Sequence, residues 1–220
     1  MAEATLSFTD ELAKISKIDL FKKEKEGSLA TGTYVGRPFQ LDYNVALLLV
    51  ADAWKQKVKG IPQGSFLLAY YENEENVEET LLLRVLGPCV LPTDRDVISS
   101  MVEYYKDNLR TSGAGSQLDT FTRYEFSFSG LECRILGTFY KETSGKVNFG
   151  ADVENFYSAH NYEVLKPNQM VLEYIVNFRE GETSGKSTDI EIGRVRYSSS
   201  RRFQVQEEHV PVFVSPSDFL

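Results

Sequence analysis

The sequence predicts a mainly β protein: a small antiparallel β-barrel with an N-terminal helical arm and one helical insertion. Three observations carry that expectation. Short apolar segments with alternating or β-branched character recur along most of the chain, as half-buried strands do. Gly and Pro clusters punctuate them at Gly36-Arg37-Pro38 and Gly60-Ile61-Pro62-Gln63-Gly64, and such clusters turn the chain. Helical periodicity is confined to two places, so the crossover helices that a parallel α/β sheet requires are missing and a closed barrel or sandwich is favoured.

From Thr5 to about Lys25, Phe8, Leu12, Ile15 and either Ile18 or Leu20 recur at helical spacing, with Thr9 or Ser7 as cap. This is one amphipathic helix or two short ones. Lys14, Lys17, Lys22, Lys23 and Lys25 are interleaved there with Asp10, Glu11, Asp19, Glu24 and Glu26, the pattern of a solvated face docked on its own domain or on a neighbour. Strands are then expected over Leu29–Val35, Phe39–Ala51 with a break inside it, Ser65–Tyr71 and Thr80–Leu86. The acidic stretch Glu72 to Glu79 forms a polar loop between the last two.

The helical insertion spans 93–110. Val97, Ile98, Met101, Val102 and Tyr105 form one stripe, and Thr93 with Asp96 resembles a capping box. Past a linker at Thr111–Ser116, strands are expected over Thr120–Phe128 and Glu132–Tyr140. One helical turn is expected at Asp152–Tyr157 and an apolar strand at Met170–Phe178. Two further strands are Ile190–Tyr197, with half-buried alternation, and Val210–Val214. Residues 1–27, 28–180 and 181–220 thus read as arm, barrel and a β segment leading onward.

Composition excludes several classes of function. With 24 Lys plus Arg against 32 Asp plus Glu, the formal charge of -8 disfavours a polyanion partner. The longest apolar run, Val45 to Ala51, is far short of a membrane span, and no signal-peptide core is evident. A cytoplasmic protein without a membrane partner is expected. Cys89 and Cys133 are read as reduced thiols, since a stapled secreted domain carries more cysteines.

No chemistry-bearing constellation emerges. His160, His209, Cys89 and Cys133 are scattered singly, without metal-ligand spacing or a nucleophile triad. Catalytic, cofactor-binding and metal residues are therefore all expected to be none. Gly181-Glu182-Thr183-Ser184-Gly185-Lys186-Ser187 imitates the end of a phosphate loop, but Glu180 stands where the leading glycine belongs, and a strand follows instead of a helix. The pentapeptide Glu-Thr-Ser-Gly-Lys recurs at Glu142–Lys146, as a repeated hairpin turn would. Tyr70, Tyr71, Phe121, Tyr124, Phe126 and Phe128 invite comparison with a base-stacking platform. The neighbouring Glu72-Asn73-Glu74-Glu75 opposes it, and barrel core or subunit interface is the better use. Arg201 and Arg202 are the best candidates at that end for an anion contact, in what reads as a solvated loop.

Several phrases resemble the N-terminal part of the HerA-type hexameric ATPases, DNA translocases of the FtsK-like P-loop class. Ala30-Thr31-Gly32-Thr33-Tyr34-Val35-Gly36 looks like the opening strand of their small HAS barrel. Gly60 to Tyr71 and Leu83-Arg84-Val85-Leu86-Gly87 look like later strands of it. Ile192-Gly193-Arg194-Val195, Val210-Pro211-Val212-Phe213-Val214 and Asp218-Phe219-Leu220 look like the segment just before the phosphate loop. The helix at 93–110 and the N-terminal arm depart from the minimal barrel.

The resemblance implies a non-catalytic assembly and partner-docking domain, cut before a motor that would bind ATP and Mg. It implies a homo-oligomer, hexameric in the parent protein, that docks a nuclease or sirtuin-like effector in repair or anti-phage defence, with DNA handled by the absent motor. Phe219 and Leu220 would then be poorly ordered or borrowed by a neighbour. An exposed barrel edge at Phe66, Leu68, Tyr70 and Tyr71 is the expected interface. The alternative is a nucleotide- or single-stranded nucleic-acid-binding module using Lys186 or the aromatic strands.

Overall fold

Alternation of inward and outward side chains builds nine strands in the computed structural model, which describes residues 32–71, 79–110, 127–141, 147–154, 157–179, 189–195 and 210–216. These are β1 (Gly32–Leu41), β2 (Val45–Ala51), β3 (Phe66–Tyr71), β4 (Glu79–Cys89), β5 (Phe128–Lys141), β6 (Val147–Gly150), β7 (Tyr162–Pro167), β8 (Ile190–Arg194) and β9 (Pro211–Val214). Helices α1 (Asp52–Lys57), α2 (Asp94–Arg110) and α3 (Gln169–Val176) interrupt them, with one 3₁₀ turn at Ala159–Asn161.

Strands β1, β2, β5, β4, β3 and β7 pair in that order, and β7 returns to β1, so six antiparallel strands close a barrel. Strand β6 lies outside the ring, on β5. The barrel and its helical insertion agree with the predicted fold class. A ring of so few strands is filled by its own side chains. Val35, Leu48, Val50, Leu67, Leu83, Val85, Cys133 and Val164 form this interior with almost no exposure.

A second apolar layer covers one outer face. Leu68, Tyr70, Leu82 and Phe139 point away from the interior and are buried together with Val171 and Ile175 of α3. Phe139 packs on Phe149 and Phe178 at centroid distances of 4.8 and 5.4 Å. Inward and outward positions of β3 are thus both apolar, which hides the strand's period of two.

Several boundaries differ from the sequence reading. The chain does not turn at Gly36-Arg37-Pro38; β1 runs through, pairing with β7 up to Gly36 and with β2 from Arg37 onward. Pro38 lies past the β7 ladder at a bulge, where a missing donor is tolerated. The turn comes later, where the Asp42 carboxylate accepts the N–H groups of Asn44 and Val45, both at 2.7 Å.

Met170–Phe178 is not a strand. Residues through Val176 belong to α3, because the Asn168 side chain accepts the Val171 N–H at 2.9 Å and caps the helix start. An apolar run of that length has no period that separates helix from strand. Asp152 to Glu154 form no helical turn; the turn forms at Ala159–Asn161.

Helix α1, not expected from the sequence, wedges Trp54 edge-on between Tyr34 and Phe128, at 5.0 and 6.2 Å. The expected N-terminal arm, the strand residues 120–126 and the loops 72–78 and 142–146 lie outside the described residues. Strands β5 and β6 do pair as a hairpin, with Lys141 opposite Val147.

Gly137 has φ +153°, and a Cβ there would stand 2.1 Å from the Gly150 carbonyl oxygen. Gly137→Ala is expected to destabilise the barrel by about 2 kcal/mol or more, read from urea unfolding.

Burial is the first cause that pushes the Cys133 thiol up to about 12 and the Tyr162 phenol up to about 12. Both are buried neutral, so the stability they contribute is complete below their ordinary values of 9.0 and 10.0. It is lost as pH rises towards the folded values. Unfolding midpoints are expected to fall from about pH 8 to about pH 11, and Cys133→Val should remove the thiol's share of the fall.

Candidate docking surface

The four residues expected at an exposed edge are placed otherwise. Strand β3 is hydrogen-bonded to β4 on one side and to β7 on the other, so it has no free edge. Leu68 and Tyr70 are buried under α3, and Phe66 packs at the margin of that layer. Tyr71 stacks on Tyr157 at 4.0 Å and lies 5.4 Å from Tyr162. Ring closure is the physical reason, since a barrel pairs every strand on both sides. Of the aromatic strand residues that invited comparison with a base-stacking platform, Tyr70 is buried and Tyr71 is half-buried. Phe128, the only other member among the described residues, rests against Trp54.

The edge lies in the tail instead. Among the described residues, strands β8 and β9 pair with each other only, as a two-stranded ribbon separate from the barrel sheet. Helix α3 carries it. At the C-cap of α3, the Asn177 side-chain amide donates to the carbonyls of Glu173 and Pro211, both at 2.9 Å. Its oxygen accepts the Phe213 N–H at 2.8 Å. Arg179 adds a pair with Asp189 at 3.2 Å and a bond to the Phe213 carbonyl at 3.4 Å. The Asp189 side chain is 2% exposed, so the charged pair is well shielded from solvent.

Asn177 therefore occupies the outer side of β9, while β8 has no further strand partner among the described residues. Every residue of β8 is exposed, Ile190 at 56% and Ile192 at 62%. This corrects the expected half-buried alternation: both isoleucines of Ile190–Arg194 are open to solvent, as are the polar residues beside them. A bulge between Glu191 and Gly193 leaves Ile192 as the extra residue.

Helix α2 exposes a second apolar strip. Its stripe divides: Val97 and Met101 line a cleft of about 370 Å³ with Leu49, Leu91 and Phe128, while Ile98 and Val102 are 58% and 47% exposed. The spacing of four residues places both on one face of the helix.

Other expectations are resolved residue by residue. Cys89 and Cys133 are free thiols. His160 offers its backbone carbonyl to Arg37 at 3.1 Å, and Arg37 also pairs with Glu163 at 2.7 Å, fastening β1 to β7. Among the described residues no three His, Cys, Asp or Glu side chains are grouped to hold a metal ion, and no helix is long and apolar enough to cross a membrane. Lys186, Arg201, Arg202, His209, Phe219 and Leu220 lie outside the described residues. No protein-family model matches the chain, and no curated protein matches it.

Replacing Asn177 by Ala would leave the Phe213 N–H and the Pro211 carbonyl without their partner. Hydrogen exchange at Phe213 is expected to accelerate by the equivalent of about 2 kcal/mol, while amides of the barrel interior keep their protection.

Proposed function

We propose that the chain is a non-catalytic assembly and partner-docking module, the barrel domain of a HerA-like DNA-translocating ATPase, and that strand β8 is its docking edge. The observation that carries this reading is the outer side of β8, which has no strand partner among the described residues and exposes Ile190 and Ile192, on a ribbon held in place from α3 by Asn177 and Arg179. An edge strand of this kind invites addition of a strand from another chain, with main-chain bonds giving affinity and alternate side chains giving specificity.

The phrases around Ile192–Val195 and Val210–Val214 that resemble the HerA-type tail fall on this ribbon. In that setting a hexameric parent would use the ribbon between barrel and motor, and a nuclease or sirtuin-like effector would dock on the same module. Hydrolysis of ATP with Mg and the handling of DNA belong to the motor. The chain has no ATPase role of its own in this reading.

Light scattering after size-exclusion chromatography is expected to give a mass above the 24.9 kDa chain. Ile190→Asp with Ile192→Asp should return it to the monomer without lowering the melting temperature of the barrel, because neither residue is buried. A wild-type chain that is monomeric at all concentrations would remove the support for β8 as an assembly edge.

A further inference from the structure

Strands β4 and β5 bring two guanidinium groups together on the outside of the barrel. Arg84 and Arg134 stand directly opposite each other in the β4–β5 register, and both are exposed. Like charges directly opposed across a ladder destabilise it. Neither arginine has an ion pair or side-chain hydrogen bond with another described residue. Two acidic groups lie near: Glu132 is two positions before Arg134 on the same face, and Asp152 is at the cleft wall. Neither forms an ion pair with the arginines.

The pair opens into a cleft of about 800 Å³, within the size range of small-molecule sites. Five separate segments wall it, contributing Tyr43 and Asn44 after β1, Gln63 before β3, Leu86 beside Arg84 on β4, Leu136 beside Arg134 on β5 and Asp152 after β6. Tyr43 and Leu86 are 57% and 39% exposed, so the cleft offers an aromatic and an aliphatic surface beside its two cations.

We propose that this cleft binds a compact phosphate-bearing small molecule, with its phosphate held between Arg84 and Arg134. Each guanidinium presents a planar fork that matches two oxygens. One carboxylate satisfies a single fork, whereas a phosphate has oxygens enough for two. Side chains directly opposite across a ladder start about 5 Å apart, near enough for both forks to reach one anion. The ligand's body lies against Tyr43 and Leu86. Asp152 and the net charge of -8 select a compact anion over a polyanionic chain.

The test uses calorimetry at low salt with three probes: inorganic pyrophosphate, ATP without metal, and a single-stranded oligonucleotide. Saturable binding of pyrophosphate is expected, with ATP tighter because its base adds contact. Arg84→Gln with Arg134→Gln should weaken both by at least about tenfold. Lysine at both positions should fall between, because charge is kept and the fork is lost. Melting curves separate binding from folding: Arg134→Gln alone should melt no lower than wild type, since the opposed charges are relieved. Pyrophosphate should raise the wild-type melting temperature and leave that of the double variant unmoved. Absence of saturable binding by both small probes, binding unchanged in the double Gln variant, or binding of the oligonucleotide alone would overturn the proposal.

Discussion

Closure of the ring through β5 is the constraint on which the rest of the structure depends. The first half of this strand, Phe128 to Arg134, pairs residue for residue with β2, and Thr138 to Lys141 pair with β6. Its other side follows β4 from Gly130 to Tyr140. One strand thus seals the barrel and carries the outside strand. The exchange of partners happens around Ile135 to Gly137, where the Ile135 N–H bonds the Asn44 carbonyl and Gly137 takes a φ that other residues rarely adopt. A β-branched residue at 137 would meet the Gly150 backbone and force the two halves apart.

Closure decides where an interaction surface can exist. A barrel of paired strands has no edge, and the outer face around Leu68, Tyr70, Leu82 and Phe139 is already taken by α3. Of the exposed apolar side chains, Ile190 and Ile192 sit on the ribbon and Ile98 and Val102 on α2, while Leu86, Phe128 and Tyr140 are on the barrel strands. Asn177 links the two regimes. Its amide closes the end of α3 and also takes up backbone groups of β9, so one buried side chain sets the position of the ribbon against the helix. Such a group is favourable only when both ends are satisfied, which makes the junction specific.

The same geometry accounts for the arginine pair. Within the barrel register, position 84 is forced opposite position 134, and both point outward because Leu83, Val85, Cys133 and Ile135 point inward. Alternation thus leaves two cations side by side in a cleft. An isolated arginine in each of two strands gives no hint of this in the linear sequence, since Arg84 and Arg134 become neighbours only through the ladder.

Much of the barrel was legible locally. Val45–Ala51, Phe66–Tyr71 and Glu132–Tyr140 announce themselves through β-branched and aromatic content, and Gly60 to Gly64 marks a real connection, because strand character and turn chemistry are properties of a few adjacent residues. What depended on distant partners was not legible. Phe66, Leu68, Tyr70 and Tyr71 look like an edge until β7, more than ninety residues later, pairs beside them. Met170 to Val176 looks like a strand until a cap and a sheet face select the helix. Ile190 and Ile192 look half-buried although nothing described in the barrel covers them. Local sequence marks most of the extended segments and the connection at Gly60 to Gly64, but not the helices at Asp52–Lys57 and Gln169–Val176 or the run of β1 through Gly36 to Pro38. Only the tertiary structure decided which strands close the ring, and hence which apolar side chains became core and which stayed exposed, because pairing and burial depend on surfaces brought together from remote positions.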